Sequence, residues 1–356
     1  MPSWSRSTTD DSVGSSLLDV LAAVIIVLGA LLVFTRAIGW YGSPYVVLAH
    51  AALPLTLLPV WIALAITAWR GHPIRFALAL LLCVVYGFSV YPALQRQDRS
   101  PLLSAGVETD RVIRVFSSNV YVDNESDFSQ QILRQPADVF IFHELAKPIE
   151  ARLRRSGALN GYPYFAENGA EGTWRTVVFS RLPFASQPRM IAVPGNSGVS
   201  CPLIAVDVKM KNGTVARVIG AHPVPLTVKG ANIAFVNTTR ILLDEALRAR
   251  AEKTLVGGTP LVIAGDFNGT RWLPETGQLF DNGLRSTHEA MGYGLSASWP
   301  RGMRVPRFMR LDHAFYSGPI SPIDLVDVVI PGSDHVGFLA SYVVGVDVSP
   351  AAVPAG

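Results

Sequence analysis

The sequence is poor in cysteine and in charged residues, and both shortages narrow the class of protein. Its 356 residues include 2 cysteines, Cys83 and Cys201, and no CxxC pair, so neither a disulfide framework nor a cysteine zinc site is predicted. Charged residues make up 16% of the chain, against about 25% in a typical soluble domain. A net charge of +3 is too small to predict a nucleic-acid-binding domain. The shortage of charge indicates membrane-embedded sequence.

Long apolar runs occupy the N-terminal part of the chain. After a polar, Ser-rich segment at 1–15 that is predicted to be disordered, apolar runs follow at about Leu17–Phe34, Tyr45–Ala68 and Ile74–Tyr91. Each approaches or meets the ~20 residues that cross a bilayer core. Buried core helices are the alternative, but three such runs in succession leave no polar face. We therefore predict three transmembrane helices within 16–94, a multi-pass cell-membrane protein and a lipid bilayer as its partner.

The character of the sequence changes after a polar linker at 95–110. Short apolar segments alternate with helical segments and Gly/Pro loops through 111–346, which predicts one domain of strands and helices, and a tail follows at 347–356. Asn232–Glu252 is predicted to be a helix with one apolar face. That face is formed by Val236, Leu243 and Leu247.

Polar residues follow the apolar strands at the point where each strand ends. α/β enzymes place catalytic groups at strand ends, because a rigid sheet directs several side chains into one crevice. The residues in these positions are Asn119, Glu144, His222, Asp266, Asn268, Asp312, Asp334 and His335. We expect them to lie close together.

Several of these residues suggest a chemistry on their own. Asp266 and Asn268 are two apart, so on a strand they share one face, where an acid and an amide can orient a water; the alternative is an Asx turn. Glu144 offers the hard oxygen that Mg²⁺ prefers, although a surface glutamate at a strand end is equally common. Asp334 and His335 pair a carboxylate with an imidazole that can exchange protons.

Together these residues resemble the endonuclease/exonuclease/phosphatase superfamily, the fold of DNase I. The matching segments, in family order, are SSN at 117–119, HE at 143–144, FSRLP at 179–183, AHP at 221–223, GDFN at 265–268, LDH at 311–313 and GSDH at 332–335. The resemblance implies an α/β fold: a four-layer sandwich of two facing mixed β-sheets flanked by helices, preceded here by the three transmembrane helices. It also implies a metal-dependent hydrolase that acts on phosphate ester bonds.

The resemblance further implies a metal site and two substrate contacts. Glu144 would be the main metal ligand, with Asn119 and Asp334 close by, partly through water. The implied cofactor is Mg²⁺, with Mn²⁺ or Ca²⁺ as alternatives. Arg175 and Trp299 are predicted to bind substrate, although a salt bridge is the alternative for Arg175.

The same resemblance implies the catalytic residues. Asp266 and Asn268 would position and activate the attacking water. His335, oriented by Asp312, would face the scissile phosphate. His222 would be a second imidazole, acting as an acid or as a phosphate ligand.

Two further segments narrow the range of candidate substrates. His222-Pro-Val-Pro and Ser298-Trp299-Pro300 resemble a membrane-anchored bacterial subgroup that includes the VanJ-type proteins. The likeness implies an extracytoplasmic catalytic domain acting on a phosphorylated lipid or lipid-linked cell-envelope intermediate, although flanking arginines leave the membrane orientation open. One alternative is a membrane-tethered nuclease, for which Arg301, Arg304, Arg307 and Arg310 form a basic cluster. A catalytically inactive binding or sensor module is another, and the oligomeric state is left open.

Overall fold

The computed structural model describes residues 8–40, 43–95, 108–196, 201–254 and 256–346. The chain forms two compact units, Met1–Pro92 and Ala93–Gly356. The predicted tail at 347–356 and most of the predicted linker at 95–110 lie outside the described residues. The first helix begins at Thr8, within the segment predicted to be disordered.

The described secondary structure of the first unit consists of helices joined by short turns. Its helices are α1 (Thr8–Ala37), α2 (Pro44–Ala51), α3 (Leu53–Trp69) and α4 (Pro73–Leu94). Ser16–Ala37 and Pro73–Leu94 are long and apolar enough to cross a membrane, with mean hydropathies of 2.9 and 2.0. The predicted middle span is instead a pair of helices bent by 81°, so the unit has two candidate spans, or three if the pair is one. Pro54, in the first turn of α3, explains the break because it lacks an N–H and restricts the residue before it.

The second unit contains two six-stranded sheets. The first has the order β11-β12-β1-β2-β4-β3 and the second β5-β6-β7-β8-β10-β9. The strands of the first sheet are β1 (Val112–Asn119), β2 (Val139–His143), β3 (Tyr164–Glu167), β4 (Thr176–Ser180), β11 (Ile320–Val329) and β12 (Val336–Val344). Those of the second are β5 (Arg189–Ile191), β6 (Leu203–Lys209), β7 (Val215–Gly220), β8 (Leu261–Asp266), β9 (Arg285–Ser286) and β10 (Asp312–Ser317). Each sheet is mixed, with one parallel pair at its centre, β1 with β2 and β7 with β8.

Helices cover the outer faces of both sheets. They are α5 (Ser129–Leu133), α6 (Lys147–Arg155), α7 (Asn232–Ala251) and α8 (Pro274–Asp281). The short helix α9 (Thr287–Ala290) packs instead on the buried cluster between the sheets, through Ala290. One buried cluster joins the facing sides of the two sheets through Val115, Ile141, Val218 and Val262. Alternate residues of the same strands point outward and pack on α5 and α6 through Phe116, Ile132 and Ile149, and on α7 and α8 through Ile263, Leu242 and Leu279. These layers confirm the predicted α/β fold with two facing mixed sheets and outer helices.

The apolar face predicted for α7 is wrong. Val236 and Leu247 are 47% and 61% exposed. The buried face instead consists mainly of small residues, which let the helix lie close to the sheet. Its members are Ala234, Phe235, Thr238, Thr239, Leu242, Glu245, Ala246 and Ala249.

The segment that follows β7 approaches β8 closely at one glycine. A Cβ atom at Gly265 would stand 1.9 Å from the carbonyl oxygen of Ala221 and 2.9 Å from His143 Nε2. Only a residue without a side chain lets the chain after β7 pass so near β8. This approach brings His222 beside Asp266.

Gly265→Ala is therefore expected to destabilise the protein by about 3 kcal/mol or more, at the upper end of overpacking costs, because backbone must move. Urea unfolding of the full chain in detergent, followed by tryptophan fluorescence, measures the loss. Gly161→Ala is the matched control, since a Cβ there meets nothing within 4 Å. Equal stability losses in the two variants would contradict the close approach.

Candidate active site

Six segments of the second unit meet at one edge of the sheets. Strands β1, β2, β7 and β8 end there, and β10 and β12 begin there because they run antiparallel to β8 and β1. The side chains carried to this edge include Asn119, Glu144, His222, Asp266, Asp312 and His335. Glu144 is half-buried and the others are buried.

The amide of Asn119 holds two carboxylates side by side. Its Nδ2 donates to Glu144 Oε1 at 2.9 Å and to Asp266 Oδ2 at 3.0 Å. Its Oδ1 accepts the backbone N–H of Tyr121 at 2.9 Å, which fixes the orientation of the amide. In this arrangement Asn119 organises the two acids, while its predicted role as a metal ligand stays a prediction.

Glu144 is held in an unusual backbone conformation at the end of β2. Its φ of 57° lies in the left-handed region, which non-glycine residues adopt at a cost and which is common at functional sites. Its second oxygen, Oε2, accepts the backbone N–H of Val122 at 3.1 Å. Burial raises the pKa of Glu144, nearby His222 lowers it in part, and Asp266 adds to the rise.

His335 and Asp312 form a buried pair beside Asp266. Asp312 Oδ2 lies 2.8 Å from His335 Nδ1, which leaves Nε2 facing Asp266 Oδ2 at 3.7 Å. Burial alone lowers the pKa of His335, but the carboxylates of Asp312 and Asp266 outweigh it and raise the pKa to about 10. The imidazole is therefore cationic at neutral pH in this arrangement.

His222 lies close to both acids held by Asn119. Its Nε2 is 3.6 Å from Asp266 Oδ2 and 3.9 Å from Glu144 Oε1. Its Nδ1 is buried and has no hydrogen-bond partner among the described residues. The ring of Trp174 lies 5.8 Å away, centroid to centroid.

Asn268 reaches the site through a turn and not along a strand. Strand β8 ends at Asp266, so the alternation argument does not extend to Asn268. Asp266 Oδ1 accepts the backbone N–H of Asn268 at 2.8 Å in an Asx turn, and Asn268 has a φ of 48°. Its Nδ2 donates to the carbonyl of Pro223 at 2.9 Å. The Asx turn, which was the alternative for the Asp266-x-Asn268 motif, is thus the backbone conformation observed. The role of Asn268 in orienting the attacking water stays a prediction.

Trp299 supports Asp334. The indole N–H donates to Asp334 Oδ2 at 3.1 Å. The predicted metal-binding role of Asp334 and the predicted substrate contact of Trp299 stay predictions. In this structure the indole N–H of Trp299 and one carboxylate oxygen of Asp334 bond to each other.

Arg175 is placed where it braces the site and not where it meets substrate, which corrects its predicted role. Its side chain is 4% exposed. The guanidinium donates to Glu150 Oε2 at 2.6 Å, to Glu167 Oε2 at 2.6 Å and to the carbonyl of Leu145 at 2.7 Å. Because Leu145 follows Glu144, Arg175 fixes the segment that carries the main carboxylate.

We expect Arg175→Ala to lower the free energy of unfolding by about 3 kcal/mol, because removing one partner of a buried ion pair leaves charge uncompensated. Lys147→Ala is the matched control: Lys147 and Glu171 pair at the surface with 70% and 80% side-chain exposure. Such surface pairs contribute about 0–1 kcal/mol. Denaturant unfolding of both variants measures the difference, and equal losses would argue against the bracing role.

Two serines near the site were not singled out from the sequence. Ser298 Oγ accepts the backbone N–H groups of Leu311 and Asp312 at 3.0 and 3.1 Å. Ser333 Oγ donates to the carbonyl of Asn119 at 2.7 Å and accepts the N–H of His335 at 3.0 Å. Ser333 lies in the matching segment GSDH and Ser298 in Ser298-Trp299-Pro300, but only the fold shows which backbone each one holds.

The donors at this edge fit a hard divalent cation. Glu144 and Asp266 lie on one amide, and among the described residues the ion pairs of both acids are with histidines and not with Lys or Arg. Mg²⁺ binds one or two carboxylates and keeps several waters. That mode fits Glu144 as the carboxylate ligand, with a second acid, Asp266, beside it. The described residues contain no group of three or more His, Cys, Asp or Glu side chains placed to hold a metal ion.

The sequence of this edge also matches a known family. A model of the endonuclease/exonuclease/phosphatase family matches residues 116–335, which include every polar residue described above. The chain belongs to this family. Its enzymes are generally dependent on divalent metals. The predicted superfamily is confirmed, whereas the VanJ-type subgroup stays a prediction.

Solved structures share the fold of the second unit. The endonuclease/exonuclease/phosphatase from Beutenbergia cavernae is 19% identical over 66% of this chain and 72% of its own, with a TM-score of 0.51. A humanised TDP2 of D. rerio is 17% identical over 65% and 99%, with a TM-score of 0.53. The mannosyl-6-phosphatase of Bacteroides thetaiotaomicron is 16% identical over 65% and 99%, with a TM-score of 0.51. At these identities the likeness shows the fold alone, and a search of curated proteins finds no match.

Proposed function

We propose that this chain is a membrane-anchored, divalent-metal-dependent phosphoesterase that hydrolyses a phosphorylated lipid or a lipid-linked cell-envelope intermediate. Family membership supports hydrolysis of a phosphate ester. The observation that carries the proposal is the Asn119 amide, which holds Glu144 and Asp266 together beside the His335–Asp312 pair.

Asp266 is the candidate base. Its Oδ2 lies between the Nε2 atoms of His222 and His335, at 3.6 and 3.7 Å. Proton transfer to a carboxylate activates a water for attack. The water oxygen bonds to phosphorus as its proton passes to Asp266, the bond to the leaving oxygen breaks, and that oxygen takes up a proton from solvent.

Charge develops on the phosphate oxygens during this attack. A cationic His335, held by Asp312, lies within reach of Asp266 and offsets that charge in a buried setting, where preorganised groups have large effects. Glu144 is the residue that would hold a divalent cation, with Asn119 and Asp334 as the other predicted ligands. When bound, the cation supplies Lewis-acid stabilisation of the same oxygens.

The lipid substrate is proposed from the first unit. Two apolar helices of 22 residues support membrane anchoring by length and composition. Tethering to a bilayer raises the effective concentration of a lipid substrate without any new contact. The resemblance to the VanJ-type subgroup supports placing the catalytic unit outside the cytoplasm.

A substrate screen tests the proposal. The full chain in lipid nanodiscs is assayed with lipid monophosphates, lipid pyrophosphates, phosphodiester lipids and plasmid DNA, each with Mg²⁺, Mn²⁺ or Ca²⁺. We expect hydrolysis of a phosphorylated lipid and its loss in His335→Ala. Cutting of plasmid DNA without lipid hydrolysis would replace the proposal with the tethered nuclease. Inactivity toward all four classes would favour a binding or sensor module.

A further inference from the structure

A surface loop next to the site carries exposed apolar side chains. Residues 301–308 form this loop, and an antiparallel bridge between Trp299 and Met309 closes its base. Along the loop, Met303 and Val305 are 53% and 50% exposed. An exposed apolar patch rimmed by polar residues is typical of an interaction site, so the charged residues around these two side chains decide what the loop could bind.

The basic cluster predicted here divides into two parts. Arg301 donates to the carbonyl of Ser333 at 2.9 Å and is half-buried, and Arg310 is 4% exposed inside the unit. Arg304 and Arg307 are exposed. The loop therefore presents two cations to solvent, interleaved with the apolar side chains.

The base of the loop is joined to the candidate site. The backbone N–H of Arg301 donates to the carbonyl of Asp334 at 2.7 Å, and the indole N–H of Trp299 donates to the carboxylate of Asp334 at 3.1 Å. Asp334 directly precedes His335. Whatever surface the loop binds is therefore held close to the site.

We propose that the 301–308 loop docks on the surface of a bilayer that contains anionic phospholipid. Met303 and Val305 enter the interface, and Arg304 and Arg307 bind headgroup phosphates. An anionic surface over an apolar interior is the complement of exposed arginines interleaved with apolar residues. This inference rests on the proposed function, in which the substrate lies in the bilayer. It adds that the 301–308 loop holds the candidate site against the bilayer surface.

The aromatic content of the loop favours a lipid surface over a nucleic acid as its partner. Proteins that bind single-stranded nucleic acid use exposed aromatic rings as stacking platforms. The aromatic ring of the loop, Phe308, is half-buried and lies 6.2 Å from the ring of Trp299. The exposed apolar side chains, Met303 and Val305, are aliphatic and suit lipid.

Fluorescence of a labelled loop tests the docking without any turnover. In the full chain, with the buried Cys83 and Cys201 replaced by alanine, Val305→Cys is labelled with an environment-sensitive dye and placed in nanodiscs. We expect strong quenching by spin-labelled lipid in discs of phosphatidylcholine with phosphatidylglycerol, and weaker quenching in phosphatidylcholine alone. Adding Arg304→Gln and Arg307→Gln is expected to weaken surface binding about 25-fold, about fivefold for each arginine.

Leu247→Cys is the matched control. Leu247 is 61% exposed and lies near the C-terminal end of α7. The chain continues from there to the first residue of β8, whereas Asp266 of the candidate site is the last residue of that strand. Met303→Cys provides a second loop position if the first variant folds poorly. Equal lipid quenching at positions 305 and 247 overturns the proposal. So does a change in the fluorescence of the loop dye that plasmid DNA causes and anionic lipid does not. Because the measurement needs no substrate, it separates failure of docking from failure of the proposed lipid hydrolysis.

Discussion

Glu144→Ala is expected to reduce Mg²⁺-dependent phosphate release by about 10³-fold or more, because a bound cation supplies several kcal/mol of charge stabilisation in the transition state. Burial raises the pKa of Glu144, so a bound cation would offset the cost of keeping this carboxylate charged. The measurement is the initial rate of phosphate release against Mg²⁺ concentration. Glu144→Gln keeps the shape of the side chain and is expected to lose activity to a similar extent.

Removal of metal gives a second readout for the same residue. EDTA is expected to abolish activity of the wild type, and added Mg²⁺ is expected to restore it. Glu171→Ala is the control, since Glu171 lies at the surface with 80% side-chain exposure and is expected to behave like the wild type. If Glu144→Ala and Glu144→Gln both retain wild-type Mg²⁺ dependence, Glu144 is not the ligand.

The strand-end residues show how far the sequence alone predicts this site. Each apolar strand and the polar residue after it are local features, and both appear in the printed sequence. That Asn119, Glu144 and Asp266 end in mutual contact depends on the parallel pairs at the centres of the two sheets. The family resemblance supplied that long-range arrangement, which no local pattern contains.

Other features depend on packing that a local pattern does not record. Arg175 looks like a phosphate ligand in isolation, but Glu150 and Glu167 come together around it only in the folded unit. The buried face of α7 consists mainly of small residues, so a search for large apolar residues selects its exposed side. Asn268 follows the last residue of β8 by two positions, and strand boundaries are what sequence patterns define least well.

Asp312→Asn is expected to lower kcat by about 10³-fold, since exchange of a carboxylate that orients a catalytic imidazole costs up to ~10⁴ in comparable pairs. Asp312 Oδ2 lies 2.8 Å from His335 Nδ1, and its charge is a principal reason that the pKa of His335 is raised to about 10. Asp312 is not among the residues predicted to bind substrate, so KM is expected to change far less than kcat.

The pH profile distinguishes this positioning role from a general loss of structure. Activity requires protonated His335, which predominates at pH values below its pKa. Activity is therefore lost as the pH rises through the pKa of His335, and the alkaline limb of the wild-type profile reflects a raised pKa. Removing the charge of Asp312 lowers that pKa and moves the limb to lower pH. Asp281→Asn, at a carboxylate with 68% side-chain exposure, is expected to leave both the rate and the limb unchanged. An Asp312→Asn enzyme with reduced kcat but an unmoved alkaline limb would show that Asp312 acts on something other than the charge of His335.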